Sequence, residues 1–134
     1  MKVLTVITSY NRKESLTNLL SKLDKQETDI LIYDDNSDFQ LDRTDYVKLP
    51  FNYGKEYLWL KLKYIFNNIP KNYDYYIFLP DDVDIKPNFI DNCVELWEGL
   101  KDKNKISLSI LTDSRTEKPN WTNFEPIIQD DYIQ

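Results

Sequence analysis

The sequence predicts an α/β fold, a three-layer α/β/α sandwich around a mostly parallel sheet. Short apolar, β-branched runs alternate with amphipathic segments of helical length along the chain. That alternation predicts parallel strands joined by right-handed crossovers. In addition, three of the apolar runs end in polar clusters, "TSYNR", "DDNS" and "PDDVD". Sheets of this class bind ligands at the carboxyl ends of their strands, so these clusters are expected to share one rim.

Each element has its own justification. "VLTVI", residues 3–7, is a β-branched apolar run that stops at Thr8-Ser9, a first strand. A helix over about residues 13–24 follows, with Leu16, Leu19, Leu20 and Leu23 on one face and Asn11 or Ser15 able to cap it. "DILIYDDNS" is a continuous apolar strand closed by turn residues, and "YVKLP" is a short third strand. "NYGKEYLWLKLKYIFNN" opens with a glycine turn and then runs helical. "DYYIFLP" is the fourth strand. "KPNFIDNCVELWEGLK" is a helix, with Pro87 expected in its first turn, Gly99 near its end, and Phe89, Ile90, Cys93, Val94 and Trp97 on its apolar face. "KISLSILT" is expected to be a fifth strand. The last twenty residues show no periodicity and are expected to be loop with a short strand.

A chain of 134 residues, 41 % of them hydrophobic, suits one domain, residues 1–134, with a core of its own. It has no apolar run long enough to span a bilayer and no signal-peptide pattern at its N-terminus, so a cytoplasmic location is expected. The single cysteine, Cys93, excludes an internal disulfide and reads as a small buried hydrophobe. There is no histidine, which removes Ser/His/Asp and Cys/His catalysis and histidine metal sites. Any metal must have oxygen ligands, which suits Mg²⁺ or Mn²⁺. The net charge of −6 argues against a nucleic-acid partner, which needs clustered Lys and Arg.

The three clusters suggest different chemistry. In "DDNS", an Asx turn competes with a carboxylate that accepts from a ligand's imide or hydroxyl. In "TSYNR", Tyr10 is placed to stack a nucleobase and Arg12 to pair with phosphate. "PDDVD" holds Asp81, Asp82 and Asp84, like charges that repel one another. A divalent cation relieves that repulsion, and Mg²⁺ or Mn²⁺ binds through one or two carboxylates plus diphosphate oxygens. The metal reading is favoured over a solvated acidic turn.

Taken in order, "VLTVITSYNRKESLTNLLSKL", "ILIYDDNSDF", "NYGK" and "YYIFLPDDVDIKPNFI" resemble the nucleotide-binding half of a family 2-type glycosyltransferase with the GT-A fold, a Rossmann-like arrangement. The resemblance covers roughly residues 3–100. It implies transfer of a sugar from a nucleotide-diphosphate sugar, UDP-linked by preference, to an acceptor that is a sugar, lipid or protein. It also implies a metal-dependent single displacement with inversion. By position, Thr8 and Tyr10 match residues that hold the base, Asp35 the carboxylate that accepts from it, and Gly54 and Lys55 the turn closing on the nucleotide. Asp82 matches the metal ligand of the Asp-x-Asp motif and Asp81 its middle position, near ribose and diphosphate. Asp84 then lies past the motif, although Asp82-Val83-Asp84 is a competing register.

The chain departs from the pattern in three places. Pro80 stands where an acid is common, and Trp59 where an Arg is common. About thirty residues follow Lys103, so only a partial acceptor region, about 104–134, is expected. The general base is not selected by any motif, and Asp113, Glu125, Asp130 and Asp131 are its candidates. A donor half of a larger enzyme, a non-catalytic nucleotide-sugar binder and an oligomer are all compatible readings. Trp121 reads either as a ring facing a sugar acceptor or as a hydrophobic plug. A rival from another class is a response-regulator receiver domain, whose paired acids "DDNS" resembles and whose phosphorylated strand "YYIFLPDDVD" resembles. A whole strand–helix unit before the paired acids counts against it. In that reading "SILTDSR" would carry the switch Thr112 and Lys118-Pro119 would be the Lys-Pro pair, but Lys118 follows Thr112 by only six residues, which leaves no room for the helix and strand that must intervene.

Overall fold

The structure is a computed structural model that describes residues 1–108. Its elements run β1 (Val3–Ser9), α1 (Lys13–Leu23), β2 (Asp29–Asp34), β3 (Tyr46–Lys48), α2 (Leu58–Asn68), β4 (Tyr75–Pro80) and α3 (Phe89–Gly99). The strands form one sheet in the order β3-β2-β1-β4, with every pairing parallel. All of these elements fall in the unit Met1–Lys101.

Two cores flank the sheet, and β1 shows why. Alternate residues of a strand face opposite sides. Val3 and Ile7 join Leu16, Leu19, Leu20 and Leu23 of α1 and Ile90 and Val94 of α3. Leu4 and Val6 face the other way and meet Tyr33, Leu49 and Ile65 of α2. The unit Met1–Lys101 is therefore layered helix, sheet, helix, as the alternation of elements predicts. Thr5 is buried within the sheet, and its hydroxyl pairs with that of Thr28 at 2.8 Å. Among the described residues no buried side-chain polar atom lacks a partner.

Three local expectations need correction. Neither Asn11 nor Ser15 caps α1. Arg12 holds the cap position without a side-chain cap bond, because Asn11 has turned into the left-handed region (φ 48°) and bonds elsewhere. Pro87 lies ahead of α3 rather than in its first turn, and Asn88 is the cap residue. Lys105–Leu108, the start of the expected fifth strand, carries no strand pairing, and Ile106 is exposed. The rest of that segment lies outside the described residues.

The sheet order also removes the receiver-domain reading. That fold has strand order 2-1-3-4-5, which puts its acid-pair strand beside its phosphorylated strand. Here β1 separates the "DDNS" strand β2 from the "PDDVD" strand β4.

Candidate functional site

The chain leaves β1 on one side to form β2 and β3, and returns on the other side to form β4. The crevice between the carboxyl ends of β1 and β4 is therefore the topological switch point, where open α/β sheets bind ligands. Parallel register levels the strand ends there: Thr8 lies opposite Pro80, and Ser9 opposite Asp34.

Asp81, the first residue past β4, is drawn across this crevice. Its Oδ2 accepts from the Ser9 hydroxyl at 2.9 Å and from the Tyr10 backbone N–H at 3.2 Å. Arg12 Nη1 lies 3.5 Å from its Oδ1 and donates to Asp82 Oδ2 at 2.5 Å. Asp81 is buried, whereas Asp82 and Arg12 are each about half exposed, at 51 % and 53 % of their side chains. Asp84 points elsewhere and pairs with Lys22 of α1. The three acids thus do not form one cluster, because Asp84 stands apart from the Asp81-Asp82 pair. Each has a cation, and Asp81 and Asp82 share one.

The "DDNS" cluster divides its work between adjacent acids. Asp34 closes the turn by accepting from the Ser37 N–H at 2.9 Å and from the Ser37 hydroxyl. It also accepts from the Tyr46 hydroxyl at 2.6 Å, and this bond together with burial raises the Tyr46 pKa above its ordinary value. Asp35 is buried and faces the "NYGK" loop. Its two oxygens accept from the backbone N–H groups of Tyr53 at 2.8 Å and Gly54 at 3.1 Å, and Lys61 of α2 lies at 3.5 Å. Of the two expectations for "DDNS", the turn is made by Asp34, while the oxygens of Asp35 accept from the chain's own Tyr53–Gly54 loop.

The clusters are also tied to one another. The Asn11 N–H donates to the Ser37 hydroxyl at 2.8 Å, and the Asn11 side chain exchanges bonds with Asp38. The described residues with left-handed backbone are Asn11, Asn36 and Gly54, one in each of three rim loops. Glycine adopts this region without strain and asparagine tolerates it better than other residues, so these types suit tight turns at the strand ends. Beside the third loop lies an open, mainly apolar pocket of about 420 Å³ lined by Phe51, Asn52, Tyr53, Tyr57 and Leu60.

The residues singled out from sequence are thus partly assembled. Tyr10, Arg12, Asp81 and Asp82 meet at the switch point. Asp35 and Gly54 meet at the neighbouring loop. Thr8 is half-buried at the end of β1, and Lys55 is exposed on the "NYGK" turn. Asp84 stands apart with Lys22. Asp113, Glu125, Asp130, Asp131 and Trp121 lie outside the described residues. Sequence reasoning missed Lys61, and placed Ser9 and Ser37 in the polar clusters without giving either an individual role at the site. Ser9 could have been found from its place as the last residue of a central strand. Lys61 gives no sequence signal, because only α2 packing brings it to Asp35.

No protein-family model matches the chain, and no curated protein matches it. Two solved structures of S. aureus TarS share its fold, at 20 % identity. The first, of TarS 1-349, aligns with a TM-score of 0.55 and the second with 0.52. Each alignment covers 73 % of this chain but only 32 % and 20 % of the respective TarS chains.

Proposed function

We propose that this chain binds a nucleotide-diphosphate sugar, UDP-linked by preference, and serves in transfer of the sugar to an acceptor. The observation that carries the reading is Asp81, held at the β1/β4 switch point by Ser9 and Tyr10, with Asp82 and Arg12 beside it. The fold supports it, since TarS is a glycosyltransferase. The family 2-type resemblance supports it as well, through Tyr10 and Thr8 at the base, Asp35 and the Gly54-Lys55 turn around it, and Asp81-Asp82 at the diphosphate.

The donor chemistry at the rim fits Mn²⁺ or Mg²⁺. Two carboxylates offer hard oxygens close enough for one Arg12 nitrogen to reach both, at 2.5 and 3.5 Å. Asp82 would be the main ligand, being exposed, and Asp81 the secondary one through Oδ1. Asp84 is turned away toward Lys22 of α1, whereas Asp81 and Asp82 both face Arg12, which favours the Asp81-Asp82 register. When bound, such a cation supplies Lewis-acid neutralisation of charge growing on the leaving diphosphate. The chain's own groups do the rest of the positioning. Tyr10, exposed at the rim, offers a ring face for the base. Arg12 can pair with phosphate oxygens in a fork. Asp35 fixes the loop carrying Gly54 and Lys55. The acceptor hydroxyl needs a carboxylate base, for which Asp113, Glu125, Asp130 and Asp131 remain the candidates.

Calorimetry with UDP, with and without Mn²⁺, tests the reading. Binding that strengthens with Mn²⁺ and loses that gain in Asp82→Ala is the expected result. Failure to bind any nucleoside diphosphate would end the proposal. UDP binding without turnover of any UDP-sugar would mark a donor-binding domain that lacks its base.

A further inference from the structure

We propose that Arg12 is a resident counter-ion that competes with a divalent cation for Asp81 and Asp82 and weakens its binding until a diphosphate draws the guanidinium away. This rests on the donor-site reading above and adds a gatekeeper to it. Arg12 Nη1 sits 2.5 Å from Asp82 Oδ2 and 3.5 Å from Asp81 Oδ1, the place a cation shared by both carboxylates would take. A guanidinium and a divalent ion drawn to the same carboxylates repel each other, so each weakens the hold on the other.

The geometry also makes the guanidinium exchangeable. Arg12 and Asp82 are both about half exposed, and exposed ion pairs contribute little net stability. The Lys61–Asp35 pair, at 11 % and 4 % side-chain exposure, is the buried contrast. The Arg12 backbone is anchored independently, because its carbonyl accepts the first helical bond of α1 from the Leu16 N–H at 2.9 Å. The side chain can therefore swing without disturbing the helix. A diphosphate offers it bidentate bonds that a single carboxylate oxygen does not. Once Arg12 turns to the diphosphate, Asp82 is released to a metal that the same diphosphate helps to ligate.

Mn²⁺ alone is the probe, titrated into the nucleotide-free full chain and followed by the electron paramagnetic resonance signal of free Mn²⁺. Arg12→Gln should bind Mn²⁺ about tenfold more tightly than the unaltered chain. Arg12→Lys, which keeps the charge, should stay weak. Adding Asp82→Asn to Arg12→Gln should remove the gain. If Arg12→Gln and the unaltered chain bind Mn²⁺ equally while Asp82→Asn weakens both, the gatekeeper role is wrong and the carboxylate site survives. If Arg12→Gln binds no more Mn²⁺ than its Asp82→Asn double variant, the carboxylate site and the gatekeeper fail together.

Discussion

Asp34 and Asp35 are adjacent and both buried, yet their carboxylates serve different loops. At the end of β2, period-2 alternation sends Asp34 toward Tyr46 and Asp35 toward Tyr53. The Asp35 anchor depends on Gly54, which sits at φ 59° and whose added Cβ would lie 3.2 Å from Asn52 Oδ1. Gly54→Ala should cost about 1 kcal/mol or more in urea unfolding, since alanine is strained in that region. The same change should weaken UDP binding by loosening the Tyr53–Gly54 donors. Cys93, expected to be buried, is only partly so on the opposite flank, where the buried residues of α3 are Ile90 and Val94. Desolvation pushes its thiol from 9.0 up to about 11. Its folded value is raised, so the stability from keeping it neutral is complete below pH 9 and is lost as pH rises through 11. Iodoacetamide alkylation of the native chain should therefore follow a midpoint near 11, with little reaction at neutral pH.

At the scale of elements, the helices share a peculiarity: α1, α2 and α3 all lack a side-chain N-cap bond. Their cap residues have ψ of 57°, 25° and 27° rather than the extended values that let a side chain fold back. For α3 the task passes to a distant residue. Gln26, just past α1, accepts from the Ile90 N–H at 2.9 Å and donates to the Lys86 carbonyl at 3.1 Å. Gln26→Ala should cost about 1–2 kcal/mol, read as a fall in urea midpoint at unchanged slope. This explains which parts of the elements were legible. The α1 face of Leu16, Leu19, Leu20 and Leu23 is a local pattern, and all four are buried as the spacing predicts. Caps supplied from 60 or more residues away leave no local pattern to read. Helix α2 was harder for another reason. Its apolar residues are not confined to one face, and Leu58, Trp59, Tyr64 and Phe66 remain exposed.

For the whole molecule, the three polar clusters on one rim were legible because strand alternation fixes where strand ends go. Which acid meets which cation was not legible. Arg12 reaches Asp81 and Asp82 across about 70 residues of chain, a pairing set by sheet order alone. The same order leaves β4 as an edge among the described strands. There Phe78 meets Phe66 in a tilted ring pair at 5.1 Å between centroids while both remain well exposed. An apolar patch of this kind on an acidic surface is a place for dyes and partners to adhere. Phe78→Ser should lower the fluorescence of bound 1-anilinonaphthalene-8-sulfonate in the native protein without moving the Mn²⁺ or UDP titrations, since Phe78 lies within β4 and outside the rim.

The turn that Asp34 closes has a chemical side effect on ageing. An asparagine followed by serine, as in Asn36-Ser37, deamidates when the serine backbone nitrogen attacks the asparagine side-chain carbonyl carbon and expels ammonia, closing a succinimide ring that water then opens. Here that nitrogen is held by Asp34 Oδ2 at 2.9 Å, and Asn36 is fixed at φ 61°. The fold that shapes the rim thus also shields its most labile amide bond. Peptide mass mapping after prolonged incubation should find Asn36 converted to aspartate faster in urea than in the native chain.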